Sequence, residues 1–323
     1  MKPEVVTLGE CLVALVADRP GALADISLFE AQVAGAEANV AVGLARLGHR
    51  SAFIGGVGGD GFGTAIIRRL RGEGVDTSTI TVDAGTTGLL VRERRTFGPT
   101  EVVYYRTDSA GSHLGADDVR AAADHFAGSR WLHLTGITPA LSPSCAGAVN
   151  AAIDLAREHG LTISLDLNLR RKLWRETQAA ETLRALCGRA DVVLAGLDEA
   201  ALVAGLDAGT SAEEVGGALA SLDVATVIVK QGSRGALQVV RGQDPVERPA
   251  PQVPVPVDHV GAGDAFAAGY IAARLEGLEA GRALELGNAC GASVVAAVGD
   301  MAGLPTRAEV DRIIGAAAQD PIR

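Results

Sequence analysis

Lysine and aromatic residues are scarce in this 323-residue chain, and each scarcity excludes a class of protein. Lysine occurs only at Lys2, Lys172 and Lys230 and never follows glycine, so the glycine-lysine end of a nucleoside-triphosphate P-loop is absent. A net charge of −10 and an aromatic content of 3% argue against a nucleic-acid-binding protein, which needs clustered cations or stacking rings.

Cysteine and histidine are sparse as well, and neither forms a metal-binding or redox motif. The four cysteines include no CxxC pair and the six histidines include no HxxxH pair, so we expect neither a disulfide framework nor a zinc site. The sequence contains no signal-peptide pattern, and the longest uncharged late stretch, residues 286–299, is too short to cross a membrane. We therefore expect a soluble, cytoplasmic protein.

The remaining composition is that of a globular α/β protein, with 48% hydrophobic and 21% charged residues. Short apolar runs alternate with Ala-rich amphipathic segments, which predicts a mainly parallel sheet covered by helices on both faces. Predicted strands are 5–9, 52–55, 131–136, 162–166, 191–195 and 226–230. Predicted helices are 36–47, 63–71, 144–159, 177–188, 213–221, 265–275 and 281–298. No repeat or linker divides the chain, so we expect one domain.

Two segments, residues 12–33 and 87–113, have strand-like alternation with no helix between the strands. Each is inserted between elements of the main sheet. A small antiparallel β lid would account for both, and such covers commonly close over substrates. Two ordinary surface hairpins are the alternative. An exposed lid edge is easily covered by the lid of a second copy, so a homo-oligomer is also expected.

The strongest local signal for chemistry is Gly261-Ala262-Gly263-Asp264 at the start of a predicted helix. Glycines let consecutive N–H groups point outward, and a helix start carries partial positive charge, so this segment suits a phosphate group. A carboxylate in the same turn would repel phosphate unless it accepts the proton of an attacking hydroxyl. The alternative is that Asp264 only caps the helix.

A second glycine motif, G-x-G-x-x-G at residues 56–61, follows a predicted strand and precedes a predicted helix. That context is typical of a dinucleotide-binding fold. Asp60 lies inside the motif, however, where it would repel a pyrophosphate, and the motif falls on the second strand-helix unit of the chain. These two features argue against the dinucleotide interpretation.

Polar residues cluster after the predicted strands, where ligands bind in parallel sheets. Asp166, Asn168 and Arg170 alternate, so an extended backbone would place their side chains on one side. A solvated loop would also be polar. Arg106, in the predicted lid, could join Arg170, and two guanidinium groups suit a carboxylate better than a neutral sugar.

Several stretches of the sequence together resemble one known family. Residues 34–41 with 44–48 resemble the N-terminal signature of ribokinase-type (PfkB) carbohydrate kinases, and residues 258–264 resemble the C-terminal signature. The resemblance extends in order over essentially the whole chain and includes residues 57–63, which removes the dinucleotide interpretation. Within the family, the stretches most similar to 2-keto-3-deoxygluconate kinases are 104–106, 109–112, 132–137, 166–170, 173–174 and 298–300.

The resemblance implies a ribokinase-like three-layer α/β/α fold and transfer of the ATP γ-phosphoryl group to a sugar-acid hydroxyl. Asp264 would be the base, and the Gly261, Ala262 and Gly263 amides would form the anion hole. The implied substrate-binding residues are Gly35, Asn39, Tyr104, Arg106, Arg170 and Asp300. The implied nucleotide-binding residues are Lys230, Gly232, Gly235 and Asn288. Mg²⁺ would arrive with ATP near Glu199, and K⁺ could bind near Asp258.

The sequence departs from the family pattern at a few positions. His259 stands where the signature usually has Thr, Ser or Pro, and Gly196 stands where a Mg²⁺-linked motif has Asn. Leu90 stands where some 2-keto-3-deoxygluconate kinases have Tyr. Two alternatives therefore stay open: a related kinase for a neutral sugar such as fructose or ribose, and a catalytically silent sugar-acid sensor.

Overall fold

A large sheet, helices on both of its faces and a second, smaller sheet make up the computed structural model. It describes residues 2–95 and 100–319, without the side chains of 317–319. The strands are β1 (Val5–Leu8), β2 (Leu12–Pro20), β3 (Phe29–Ala34), β4 (Ser51–Gly58), β5 (Ile80–Asp83), β6 (Leu89–Arg94), β7 (Val102–Tyr105), β8 (Trp131–Thr135), β9 (Thr162–Asp166), β10 (Val192–Gly196), β11 (Thr226–Lys230), β12 (Ala236–Val240) and β13 (Val246–Arg248). The helices are α1 (Ala36–Arg46), α2 (Gly61–Gly72), α3 (Ala116–Ala121), α4 (Ala123–Phe126), α5 (Thr138–Leu141), α6 (Pro143–Glu158), α7 (Glu176–Cys187), α8 (Leu197–Ala204), α9 (Ala212–Ala220), α10 (Ala262–Leu275), α11 (Ala280–Val295) and α12 (Arg307–Gln319).

The large sheet has the strand order β13-β12-β11-β10-β9-β8-β1-β4-β5. Its strands pair in parallel from β11 to β5, and only β12 and β13 at one edge are antiparallel. The chain leaves β1 toward β4 on one side and later returns to β8 on the other. Ligands bind at such a reversal, beyond the carboxyl ends of the strands.

Both faces of the large sheet are buried, which explains why its strands are continuously apolar. Val5 belongs to a core cluster that includes α1, α10 and α11, whereas the next residue, Val6, belongs to a second cluster that includes α6 and α7. Leu194 and Val193 divide in the same way. Because successive side chains of a strand point to opposite faces, each strand contributes to both cores.

The smaller sheet has the order β3-β2-β6-β7. Its outer pairs are antiparallel, whereas the central β2 and β6 pair in parallel because they come from two separate excursions of the chain. Leu12, Ala14 and Val16 alternate along β2 and form a small core with Ala34 and the partly buried Leu90. The predicted segments 12–33 and 87–113 thus form one sheet; residues 96–99 lie outside the described part of the chain.

The predicted α/β fold with a mainly parallel sheet and a small second sheet is confirmed. The sequence analysis missed β5, β12, β13, α3, α4, α5, α8 and α12. The helix predicted from Ala265 begins at Ala262, which places Asp264 in its first turn. All four cysteines are buried and free. Over the ranges that the structure describes, no helix combines the length and apolar character of a membrane span.

Candidate active site

Asp264 lies in the first turn of α10, with only 8% of the residue exposed. Its Oδ2 accepts a 2.7 Å hydrogen bond from Asn39 Nδ2, and its Oδ1 accepts one of 3.3 Å from Asn168 Nδ2. Burial raises the pKa of Asp264 to about 7; the Asn39 hydrogen bond opposes this rise and the negative charge of Asp166 adds to it. The helix begins after Gly261 and the carboxylate binds side chains, so the capping alternative is wrong. A carboxylate that titrates near neutrality is suited to accept a proton.

The backbone at the start of α10 requires glycine. Gly261 has a φ of +80°, a conformation that costs other residues about 1–2 kcal/mol. A Cβ at Gly261 would also lie 2.8 Å from the carbonyl oxygen of Asp300. At Gly263, an added Cβ would lie 3.3 Å from Lys230 Nζ. The first-turn amides and a lysine ammonium therefore lie together, an arrangement that attracts an anion.

Asn39 links two carboxylates near the start of α1. Its Nδ2 donates to Asp300 Oδ2 at 3.4 Å as well as to Asp264. Its Oδ1 is buried and has no hydrogen-bond partner among the described residues, so it is available to a hydroxyl donor. Gly35 caps α1 with a φ of +151°, and a Cβ there would lie 2.6 Å from the carbonyl oxygen of Glu10.

The two arginines predicted to bind a carboxylate lie in different environments. Arg170 is half-buried. Burial raises the pKa values of Asp264 and Asp300, and the positive charge of Arg170 opposes this rise without cancelling it. Arg106 is held by Glu10: Arg106 Nε donates to Glu10 Oε2 at 2.6 Å, and Nη2 contacts the same oxygen. The guanidinium also lies 5.6 Å from the centre of the Tyr104 ring.

The sequence analysis missed Glu10. This residue is almost fully buried, and its second oxygen accepts a 2.5 Å hydrogen bond from Ser109 Oγ. Glu10 follows β1 closely, at the same edge of the sheet as Asp166, so the rule that ligand-binding residues follow parallel strands could have found it.

Lys230, at the end of β11, lies among the carboxylates of Asp166 and Glu199. Its Nζ donates to Asp166 Oδ2 at 2.5 Å. Burial alone would lower the pKa of Lys230, but the charges of Asp166 and Glu199 raise it, so the ammonium stays charged. Glu199 accepts backbone hydrogen bonds from Leu169 N at 2.9 Å and Gly196 N at 3.0 Å. The carboxylate of Glu199 thus joins the ends of β9 and β10.

A cavity of about 480 Å³ opens beside this charged group. All four residues predicted to bind a nucleotide line it: Lys230, Gly232, Gly235 and Asn288. Ala262, Gly263 and His259 also line this cavity, which therefore reaches the start of α10. Its volume lies within the range of small-molecule sites, about 300–1,000 Å³. Asn288 Nδ2 donates to the carbonyls of Arg248 and Pro249 at 2.9 and 3.2 Å, which fixes one wall.

The glycine motif at residues 56–61 does not form a phosphate site. Asp60 caps α2 by accepting from Gly63 N at 2.8 Å. The same carboxylate accepts from the backbone N and the hydroxyl of Thr87, both at 2.8 Å. These hydrogen bonds hold a negative charge at the start of α2, where a dinucleotide pyrophosphate would have to bind. The structure therefore also argues against a dinucleotide site here.

Asp258, predicted to lie near a monovalent cation, is already paired with a cationic side chain. Arg92 of β6 donates to both of its oxygens, at 3.1 and 2.7 Å. Backbone N–H groups of Val260 and Gly299 donate to the same two oxygens, at 3.1 and 3.3 Å. A carboxylate offers about four lone-pair positions, so these four donors occupy them, and the residues present do not fit a bound cation.

A buried carboxylate, Asp264, thus directly follows the start of α10, where Ala262 and Gly263 line a cavity of small-molecule size. A family model described as pfkB family carbohydrate kinase matches residues 2–307. The chain belongs to this family.

Curated relatives and solved structures agree with this membership. 2-Dehydro-3-deoxygluconokinases from Bacillus subtilis and Thermoproteus tenax are 38% and 37% identical, covering 98% and 97% of this chain and 97% and 94% of their own. A ribokinase-II-type protein of Escherichia coli, solved with ATP and Mg²⁺, is 28% identical with a TM-score of 0.87, covering 97% of this chain and 99% of its own. A double mutant of Vibrio cholerae fructokinase, solved with fructose, ADP and potassium, is 30% identical with a TM-score of 0.83 and the same coverage.

Proposed function

We propose that this protein transfers the γ-phosphoryl group of ATP to the terminal hydroxyl of 2-keto-3-deoxygluconate, also called 2-dehydro-3-deoxygluconate. The product would be 2-keto-3-deoxy-6-phosphogluconate. The observation that carries the proposal is the position of Asp264, which directly follows the cavity-lining Gly263 and accepts a hydrogen bond from Asn39, whose Nδ2 also donates to Asp300. A phosphate donor and an alcohol acceptor would therefore meet at one carboxylate.

In the proposed reaction, Asp264 accepts the proton of the sugar hydroxyl as its oxygen attacks the γ-phosphorus. The new oxygen–phosphorus bond forms while the bond from that phosphorus to ADP breaks. The amides of Gly261, Ala262 and Gly263, with Lys230 nearby, stabilise the negative charge of the transferring group. No group on the enzyme needs to become covalently modified.

The cavity beside α10 is the proposed ATP site, bordered by Lys230, Gly232, Gly235 and Asn288. Support comes from the Escherichia coli relative solved with ATP and Mg²⁺. Mg²⁺ supplies charge neutralisation to the phosphates and usually keeps several of its waters. Asp166 Oδ1 is buried and has no partner among the described residues, and Glu199 is its acidic neighbour, so these carboxylates fit a hydrated cation.

The proposed sugar-acid pocket contains Gly35, Asn39, Tyr104, Arg106, Arg170 and Asp300. Glu10 neutralises Arg106, so the net positive charge available to a substrate carboxylate comes mainly from Arg170. Asn39 Oδ1 would accept a substrate hydroxyl. Charge-assisted hydrogen bonds contribute about 1.5–3 kcal/mol, enough to select an acid over a neutral sugar.

A kinase for a neutral sugar such as fructose or ribose is the second candidate. The observation that favours it is Leu90, which packs in an apolar cluster where some 2-keto-3-deoxygluconate kinases have a tyrosine hydroxyl. A fructokinase is also among the solved relatives. A silent sugar-acid sensor is less well supported, because the glycine-lined helix start and Asp264 are both present.

A substrate panel assayed by ADP release tests the proposal, with 2-keto-3-deoxygluconate, fructose and ribose as acceptors. We expect the sugar acid to give the highest kcat/KM. Arg170→Ala should raise KM for the sugar acid by about 10-fold or more, with little effect on a neutral sugar. Arg171→Ala, which removes the exposed neighbouring arginine, is the matched control.

Higher kcat/KM for fructose or ribose would replace the proposed substrate with a neutral sugar. Equal effects of Arg170→Ala on acidic and neutral sugars would remove the carboxylate argument. Tight sugar-acid binding without ADP release would favour the sensor.

We further propose that both sheets belong to one domain in which the small sheet acts as a lid. Of its open edges, β3 carries the exposed Phe29, directly preceded by the exposed Leu28, and β7 carries the exposed Tyr105. An edge of this kind is readily covered by a second copy, so a homo-oligomer is proposed. As a user of ATP and a sugar acid, the protein would act in the cytoplasm.

A further inference from the structure

We propose that the Arg92 guanidinium is a built-in counter-ion for Asp258, so that the loop leading into α10 is positioned by the small sheet and needs no monovalent cation. Because one test of this inference measures kinase activity, that test rests on the proposed function. A second test measures thermal melting, which needs no turnover, so failure of the inference can be distinguished from failure of the proposed function.

The first support is the geometry of the ion pair. Both terminal nitrogens of Arg92 donate to Asp258, one to each oxygen, at 3.1 and 2.7 Å. The two-pronged arrangement is the strong form of an arginine–carboxylate contact. Arg92 is only 8% exposed, so solvent and salt screen this pair less than a surface pair.

The second support is that Asp258 has no remaining capacity for a metal ion. Val260 N and Gly299 N complete the set of four donors on its two oxygens. The negative charge is also neutralised by the Arg92 guanidinium. Within residues 2–95 and 100–319, no group of three or more acidic, histidine or cysteine side chains could hold a metal.

The third support is the connection from this pair to the proposed base. Asp258 lies three residues before Gly261, and Gly299 directly precedes Asp300. The Asp300 backbone packs against Gly261, where an added Cβ would lie 2.8 Å from its carbonyl oxygen. Asp300 also shares the Asn39 amide with Asp264. The ion pair therefore holds both segments that shape the start of α10.

The small sheet makes a second contact, with the segment around Gly299. Gly299 has a φ of +91°, and a Cβ there would collide with the Gln32 side chain of β3. Gln32 on β3 thus meets Gly299, whose N–H binds the same Asp258 carboxylate that Arg92 on β6 holds. A covalently attached counter-ion also acts at a high effective concentration, whereas a free cation must be supplied from solution. Through these contacts, the position of the small sheet determines how well the amides of the proposed anion hole are held in place.

The first test uses the wild-type protein at constant ionic strength, with KCl replaced stepwise by tetramethylammonium chloride. We expect kcat to change by less than about 2-fold and Tm by less than about 1 °C, because the arginine charge replaces the cation. Selective activation by K⁺ of about 5-fold or more, or a Tm raised by K⁺ alone, would overturn the proposal. The melting result stands even if the substrate is misassigned.

The second test is Arg92→Ala in the full-length protein. We expect kcat to fall by about 10-fold or more with KM for ATP little changed, and to be partly restored by millimolar guanidinium or K⁺. Arg94→Ala is the matched control, because Arg94 lies on the same strand and its side chain donates to the Asp18 carbonyl, at 3.2 Å, and not to Asp258. Unchanged kcat in Arg92→Ala, or a rise in sugar KM alone without rescue, would contradict a positioning role. If Arg92→Ala does not fold, the replacement of KCl by tetramethylammonium chloride in the wild-type protein still tests whether a monovalent cation is needed.

Discussion

Carboxylates around the candidate site differ in the kind of partner each one has. Asp166 is paired with Lys230, Asp258 with Arg92 and Glu10 with Arg106, and each of these partners is a cation. The hydrogen bonds to Asp264 come instead from two neutral amides, and Arg170 acts on it only through its charge. A buried carboxylate without a cationic hydrogen-bond partner has a raised pKa, as Asp264 and Asp300 both do. Of these two, Asp264 is the one in the first turn of α10, next to the cavity-lining Gly263, which suits it to the proposed role of proton acceptor.

Asp264→Asn should abolish turnover, with kcat reduced by about 10³-fold or more, while the Kd for ATP changes little. The same change should stabilise the protein at pH 8. The pKa of Asp264 rises from 3.8 unfolded to about 7 folded, so the stability contributed by its protonated form is lost as pH rises between these values. The ionised form costs about 4 kcal/mol above pH 7, and about 3 kcal/mol of this loss falls between pH 5 and pH 7, which urea unfolding at pH 5 and pH 8 would reveal.

The control for this substitution is Asp198→Asn, which changes an exposed aspartate in the first turn of α8. It should leave both turnover and the pH dependence of stability unchanged. Near-normal turnover of Asp264→Asn would remove this residue as the base. An equal stability gain at pH 5 and pH 8 would show that its ionisation is not the cause.

At the scale of elements, two helix starts position the candidate site. Gly35 before α1 and Gly261 before α10 both have positive φ values, of +151° and +80°. Each is also a place where the backbone of another segment approaches too closely for a Cβ. The helices so placed carry Asn39 and Asp264, whose side chains meet at 2.7 Å. Glycine here is therefore needed both for conformation and for close approach.

Gly261→Ala should reduce kcat/KM by about 100-fold or more, because the methyl group would meet the Asp300 backbone and displace the first turn of α10. Gly277→Ala is a matched control: Gly277 has a φ of +77° and no neighbour within 4 Å of an added Cβ. Both variants should lose about 1–2 kcal/mol of stability from backbone strain.

The readouts are steady-state kinetics and urea unfolding on both glycine variants. If both lost activity equally, the effect would come from strain and not from the contact with Asp300. Retained activity in Gly261→Ala would mean that the anion hole tolerates a shifted helix start.

At the scale of the whole molecule, the small sheet is joined to the body by two side chains and has two open edges, β3 and β7. Arg92 joins it to the loop before α10, and Lys172, after β9, donates from its Nζ to the Val102 carbonyl at 2.7 Å. Each edge carries an exposed apolar side chain: Leu28, just before β3, is 65% exposed, and Tyr105 of β7 is 64% exposed. An exposed apolar surface on open sheet edges favours association of two copies.

Leu28→Asp combined with Phe29→Asp should shift the protein from an oligomer to a monomer, because charges on an edge strand oppose pairing. Size-exclusion chromatography with light scattering measures the change in mass. Val82→Asp, at an equally exposed apolar position on edge strand β5 of the large sheet, should leave the mass unchanged. A wild-type monomer, or loss of the oligomer in the Val82 variant as well, would contradict association through the small sheet.

Much of the fold follows from local sequence. Continuous apolar strands alternate with amphipathic helices, and that pattern alone predicts a parallel sheet with two covered faces. Short or irregular elements such as β5 and α3 escaped detection because their stability comes from neighbours and not from a periodic pattern of their own. The start of α10 was displaced by three residues because a positive φ at Gly261, a property of the folded backbone, begins the helix.

The amino-acid sequence by itself determined the order of the elements, the family resemblance and the choice of Asp264 with its glycines, since all of these lie in short contiguous segments. Only the tertiary structure decided which charges meet. Arg106 and Glu10 are 96 residues apart, Arg92 and Asp258 are 166 apart, and Asn39 and Asp264 are 225 apart. The pKa of Asp264 depends on burial and on distant charges, and the pairing of Asp258 depends on a distant arginine. No local sequence pattern encodes either of them.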